Sequence, residues 1–311
     1  MISCTEFIPA YSELFTYLEN KNGREEVNRF WDYLFAPTGD GIPLINFLKK
    51  EGIRGCWSYW SGTLNEEAAD FTMYNNEKAG WHYCEMHYCP SKGRLLKLKD
   101  EIGIEPYHDY CLHCDYYRAA VEQIGLKYVY NFNGIDKASC STLIYDPKIF
   151  DGRVIIDENT EIMDRKAADN EYFHMDFHSS LNMGIHYVGE NYGRECVREY
   201  LEMFTKDVYC KVLEAAKTEG LKAIADKIRD TYKKEHAEDL LTLEETEDSI
   251  SVKIASCPAV KHLQGTGRVV SPWYRYTTED VMDVLAKESG FKFTMESYDE
   301  ETGAASYRFE K

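Results

Sequence analysis

Hydrophobic positions over Phe7–Glu19 and Glu25–Phe35 recur with the period of amphipathic helices, and a shorter helix is expected at Pro43–Lys50. Two strand-like runs follow, Asp70–Tyr74 and Trp81–Tyr88, separated by the turn-rich segment Asn75–Gly80. After Cys89-Pro90 the pattern predicts helices at Ser91–Leu98 and Asp115–Ile124. A hairpin then runs from Leu126–Phe132 to Ser139–Tyr145, with Asn133-Gly134 as its turn signal. Farther along, helices are predicted at Asn170–Glu190, Arg194–Lys217 and Leu221–His236, and strands at Leu240–Glu244 and Ser249–Ser256. A helix at Thr278–Glu288 and a hairpin from Phe291–Tyr298 to Ala305–Glu310 close the chain. Helices first and antiparallel strands last, twice over, is an α+β pattern.

The chain also repeats itself. Gly23-Arg24-Glu25 returns as Gly193-Arg194-Glu195, 170 positions later, and Glu51-Gly52-Ile53 as Glu219-Gly220-Leu221, 168 later. Cys89-Pro90 returns as Cys257-Pro258, and Gly125-Leu126-Lys127-Tyr128 as Gly290-Phe291-Lys292-Phe293, at 168 and 165. Four matches in one order, with offsets drifting by a few residues, predict a tandem duplication. Residues 1–148 form the first repeat, 149–168 a linker and 169–311 the second. The polar stretch Asp146–Ala168, around Val154-Ile155-Ile156, marks the junction.

Composition narrows the function classes. The 311 residues carry 36 Lys plus Arg against 54 Asp plus Glu, a net charge of −18. No basic stripe offsets it, so nucleic acid is an unsuitable partner. A hydrophobic fraction of 44% supplies packed cores. No apolar run reaches the ~18 residues of a membrane helix, and the N-terminus does not read as a signal peptide. The expectation is a cytoplasmic protein whose ten cysteines are thiols or ligands rather than disulfides.

Chemistry-bearing residues differ between the repeats. The first has Cys84, His87 and Cys89 near a strand end, Cys111-Leu112-His113-Cys114-Asp115 at a helix start, and Cys140 in the last strand. The second keeps Cys257 alone of these. A Cys-x-x-Cys turn at a helix N-terminus is expected to favour thiolate, and with Cys89 it could bind zinc. Buried inert thiols fit the same pattern. In the second repeat His174 and His178 are four apart, the spacing that places two imidazoles on one helix face as metal ligands. Two histidines at this spacing are more often ordinary surface or interdomain contacts. Phosphate loops, nucleophile elbows and kinase signatures are absent, and Gly265-Thr266-Gly267 is too short to count.

With Cys89-Pro90, Cys111 or Cys114 before Asp115, and the late Cys140, the first repeat resembles the L-2-amino-thiazoline-4-carboxylic acid hydrolases, bacterial ring-opening enzymes. The second matches the helical half and Cys257-Pro258 but lacks the later cysteines, as a degenerate partner would. The tandem arrangement and the His174/His178 pair depart from the family's single-domain pattern. The resemblance implies hydrolysis of a small cyclic C–N or C–S compound in the first repeat. Cys111 or Cys114 would serve as nucleophile or ligand, with Asp115 and Cys140 in the site. An anionic substrate would need a local cation such as Arg94 or Arg118. Two other readings stand beside this one: a ligand-binding or sensory module, and a structural zinc protein in which Cys89, Cys111 and Cys114, or His174 and His178, hold the metal.

Overall fold

The computed structural model describes residues 1–36 and 42–311. A 3-10 turn at Cys4–Glu6 leads into α1 (Phe7–Asn22), followed by α2 (Arg24–Leu34), α3 (Leu44–Glu51) and α4 (Arg54–Glu66). Strands β1 (Asp70–Asn76) and β2 (Trp81–Tyr88) precede α5 (Pro90–Ile102). A 3-10 stretch at Tyr110–Tyr116 runs into α6 (Tyr117–Glu122), and β3 (Lys127–Asn131), β4 (Cys140–Tyr145) and β5 (Glu161–Arg165) follow. Next come α7 (Phe177–Val208), α8 (Cys210–Glu219) and α9 (Leu221–Lys234). The chain ends with β6 (Leu241–Glu245), β7 (Ser249–Ile254), α10 (Pro258–Gly265), α11 (Tyr276–Glu288), β8 (Lys292–Tyr298) and β9 (Ala305–Glu310). The fold is α+β. Among the described residues, no helix is long and apolar enough to cross a membrane.

Among the described residues all strand pairing is antiparallel, in two sheets ordered β3-β4-β2-β1-β5 and β6-β7-β9-β8. Apart from β5, the two orders correspond strand for strand: first, second, fourth, third. Backbone details correspond as well. Gly23, which opens α2, has φ 82 and ψ 173; Gly193, which interrupts α7, has φ 81 and ψ −177. A side chain at either position would be strained, so glycine sets both helix boundaries.

By contacts the chain divides into two compact units, one of Met1–Lys21, Ile102–Ile104 and Met175–Lys311, the other of Asn22–Glu101 and Glu105–His174. Residues 1–21 thus group with 175–311 rather than with the rest of the expected first repeat. Within the 22–174 unit, Leu44, Ile45 and Leu48 of α3 pack with Cys56, Val121, Leu126 and Ile144. Leu64, Phe71 and Met73 form an adjacent cluster. In the other unit β9 alternates strictly, burying Ala305, Tyr307 and Phe309, as a strand with one face on a core does.

Several elements differ from the sequence expectation. Residues 54–66 form α4, although Gly55, Gly62, two serines and three aromatics are modest helix formers. Tertiary packing overrides propensity there: a Cβ on Gly55 would meet the Phe47 carbonyl carbon at 2.5 Å, so α3 and α4 cross where only glycine fits. Part of the expected linker is sheet, because β5 pairs with β1 from Phe71–Arg165 to Asn75–Glu161. Helix α10 after Cys257 was not expected; Pro258 sits in its first turn, where a missing N–H does no harm.

Candidate functional site

The hairpin β3–β4, the start of α5 and the 3-10 stretch 110–116 line a small, partly open pocket. Four cysteines line it: Cys89, Cys111, Cys114 and Cys140. Local structure explains how each arrives. Cys89 follows β2, its N–H donating to the Ala138 carbonyl at 2.6 Å, while its sulfur accepts the Lys92 N–H at 3.4 Å. Cys140 opens β4 opposite Met86 of β2. Cys111 and Cys114 lie one 3-10 turn apart, the three-residue spacing that eclipses side chains in such a helix. Lys92, His113 and Tyr130 join Ser91, Tyr110 and Ser139 in the rest of the polar lining.

The expected thiolate is not the resting state. Burial pushes the Cys111 thiol up to about 11, and the neighbouring Lys92 only partly opposes it. Burial also raises Cys89, Cys114 and Cys140, with charge on nearby cysteines adding to the rise at Cys89 and Cys114. The segment is a short 3-10 turn, so no full helix dipole compensates the desolvation. The Tyr130 hydroxyl bonds toward the Cys114 and Cys140 sulfurs and favours their ionised forms, which is not enough to reverse the direction.

His113 changes what these thiols can do. Its Nδ1 makes a short hydrogen bond to the Tyr110 carbonyl, which can only accept, so Nδ1 carries the proton. Nε2 is left as an acceptor, and it faces the Cys114 sulfur at 3.6 Å. Burial holds His113 down at about 4, so the imidazole is neutral near pH 7. Cys114 and His113 therefore form a thiol–imidazole pair oriented by a backbone carbonyl.

The other expected pocket residues are placed differently. Asp115 bonds Arg118 at 2.5 Å and does not line the pocket. Arg118 also donates to the Tyr128 carbonyl, and Arg94 stacks 3.3 Å from the Tyr172 ring centroid. The cation in the pocket lining is Lys92 instead.

The histidine pair does not share a helix face. α7 begins at Phe177, so His174 precedes it and His178 sits in its first turn. His174 bonds Glu66 through Nδ1, within the 22–174 unit. His178 belongs to the other unit, with Nε2 at 3.0 Å from Glu235 Oε2 and Nδ1 at 3.3 Å from the Tyr274 hydroxyl. One ligand atom each from Cys4, His178 and Glu235 lies within 4.8 Å of the others, so this buried group could hold a metal ion. It takes one residue from the expected ligands and adds two that were not foreseen.

His113 was legible as part of the Cys111–Asp115 run, whereas Lys92, three residues beyond Cys89, was passed over for Arg94 and Arg118. Nothing local flagged Cys4 or Glu235, which are 231 residues apart. Comparison of the chain with protein-family models, with curated proteins and with solved structures found no match.

Proposed function

We propose that the chain is a small-molecule hydrolase that opens a small cyclic C–N or C–S compound in the cysteine-lined pocket. The observation that carries this reading is the Cys114–His113 pair, with the imidazole tautomer held by Tyr110 so that a lone pair faces the thiol. As the Cys114 sulfur attacks the electrophilic ring carbon, its proton passes to His113 Nε2, and the Tyr110 carbonyl stabilises the imidazolium that forms. His113 returns the proton to the departing ring heteroatom. Water then displaces the sulfur, and the Cys114 thiol is restored. Tyr130 and Lys92 favour charge on sulfur or on an anionic substrate. The resemblance of Cys89-Pro90, Cys111 or Cys114 with Asp115, and Cys140 to the thiazoline-carboxylate hydrolases supplies the substrate class.

The experiment is to incubate the full chain with 2-amino-thiazoline-4-carboxylate and follow loss of the ring, for wild type, Cys114→Ser, His113→Gln and Cys111→Ser. Loss of turnover in the first two variants, with turnover kept in Cys111→Ser, supports the assignment. Wild-type protein that turns over neither this compound nor related cyclic amidines overturns it. The matching sheet orders and the shared Gly23 and Gly193 backbones support a tandem duplication in which the second copy keeps Cys257 in place of Cys89 and lacks counterparts of the other three pocket cysteines.

A further inference from the structure

A second group of chemistry-bearing residues lies away from the cysteine pocket, in the unit formed by residues 1–21 and 175–311. Cys4 is 1% exposed, His178 0% and Glu235 3%. They come from three elements: the 3-10 turn before α1, the first turn of α7 and the residue after α9. Glu235 Oε1 accepts the Cys4 N–H at 2.6 Å, which fixes the carboxylate against the Cys4 backbone. Its other oxygen faces His178 Nε2 at 3.0 Å, and Tyr274 holds the far ring nitrogen.

We infer that Cys4, His178 and Glu235 are the protein ligands of a buried site for a divalent transition metal of the zinc class. An ion pair between His178 and Glu235 alone would not call for a thiol within 4.8 Å of both ligand atoms. Thiolate, imidazole and carboxylate form a borderline-soft donor set, which selects zinc or cobalt over magnesium or calcium. Bonds of ~2.0–2.3 Å in a tetrahedron space the donors ~3.3–3.7 Å apart. The 3.0 Å separation of ring nitrogen and carboxylate oxygen needs to widen by only a few tenths of an ångström to admit the ion.

Loading balances simply. The Cys4 thiol releases one proton to solvent, and thiolate plus carboxylate cancel the charge of the ion. The proton that His178 Nε2 shares with Glu235 in the metal-free site leaves that nitrogen on loading, and the ligand is the neutral imidazole, bound through Nε2 with its proton on Nδ1 donated to the Tyr274 oxygen. Tyr274 is thus the positioning residue that orients the imidazole. Three protein donors leave one tetrahedral position for water. The site joins the turn before α1 to α7 and the end of α9, so metal bound there links these three elements.

The test is a cobalt(II) titration of the metal-free full chain, read by the thiolate-to-cobalt charge-transfer band and the tetrahedral d–d bands. One equivalent is expected to bind wild type, and the thermal midpoint is expected to rise with metal and fall with chelator. Cys4→Ser should lose the charge-transfer band, Glu235→Gln should lose high-affinity binding, and Tyr274→Phe should weaken affinity ~10–100-fold. The double variant Cys111→Ser/Cys114→Ser should keep the full spectrum, which separates this site from the hydrolase pocket. Should Cys4→Ser fail to fold, wild type and Tyr274→Phe still decide the matter. A wild-type chain without the charge-transfer band overturns the inference, as does a band that survives Cys4→Ser and disappears with Cys111 and Cys114.

Discussion

Asn75 and His82 face one another across β1 and β2, and neither ring nitrogen of His82 nor the Asn75 side-chain oxygen has a hydrogen-bond partner among the described residues. The imidazole is fully buried and stacked on Trp60, with centroids 5.8 Å apart at 17°. Burial, with a smaller contribution from Arg54, holds His82 down at about 3. Below its ordinary value of 6.5 the unfolded chain takes a proton that the folded chain refuses, so stability falls between about pH 6.5 and 3. His82→Leu removes both unmade hydrogen bonds at similar volume. It should leave stability at pH 7 unchanged or raise it by ~1–3 kcal/mol, and should flatten the acid-side loss. Urea denaturation at pH 7 and pH 5 reads both effects; a clear destabilisation at pH 7 would sink the argument.

Glu13 carries the opposite sign. Burial, then the charge of Asp207 and a hydrogen bond with it, pushes the Glu13 carboxyl up to about 7 from an ordinary 4.5. A raised acid binds its proton more tightly in the folded state, so stability is lost as pH rises from about 4.5 through 7. Glu13→Gln should therefore stabilise the protein at pH 8, by on the order of 1–3 kcal/mol, and make no difference near pH 4. Thermal midpoints at the two pH values, wild type against variant, check it. An equal shift at both would rule out titration as the cause.

Two glycines of α4 should respond in opposite directions. Gly55 lies against the Phe47 carbonyl, 2.5 Å from where a Cβ would stand, whereas a Cβ on Gly62 meets nothing within 4 Å. Gly55→Ala should cost about 2–4 kcal/mol through overpacking of backbone on backbone. Gly62→Ala should add ~0.5–1 kcal/mol by reducing the freedom of the unfolded chain. Chemical denaturation of the pair checks the sign of each, and a stable Gly55→Ala would contradict the helix crossing.

Thiol labelling distinguishes the buried cysteines from a poised thiolate. With Cys111 near 11, roughly one molecule in ten thousand carries its thiolate at pH 7. Alkylation of Cys111, followed by peptide mass spectrometry, should speed up about tenfold per pH unit from 7 to 10. A rate already levelling at pH 8 would restore the low-pKa thiol that the Cys-x-x-Cys spacing suggests.

Much of this architecture is legible in the sequence where the determinants are local. Asn133-Gly134 marks the β3–β4 turn, Gly23 and Gly193 mark helix boundaries, and the alternation of Ala305, Tyr307 and Phe309 defines β9. Four cysteines spread over 52 positions of sequence do line one pocket. What escaped depends on distant partners. α4 forms because α3 accepts Gly55, and β5 because β1 offers it an edge. The histidine spacing misled because α7 starts only at Phe177, after His174 has already bonded Glu66. Nothing near His178 in sequence indicates that Glu235 and Cys4 will meet it.

The hydrogen bond from the Cys4 N–H to Glu235 spans 231 residues of chain, and this sets a schedule for biosynthesis. At ~5–20 residues per second, Cys4 leaves the ribosome ~10–50 s before Glu235 exists to receive it. Throughout that interval the apolar face of α1, with Phe7, Leu14 and Phe15, has none of its 175–311 partners to cover it. A segment made well before its partners is thus among the last to be buried, so the nascent chain should engage holdase chaperones over α1 and release them only when α9 emerges.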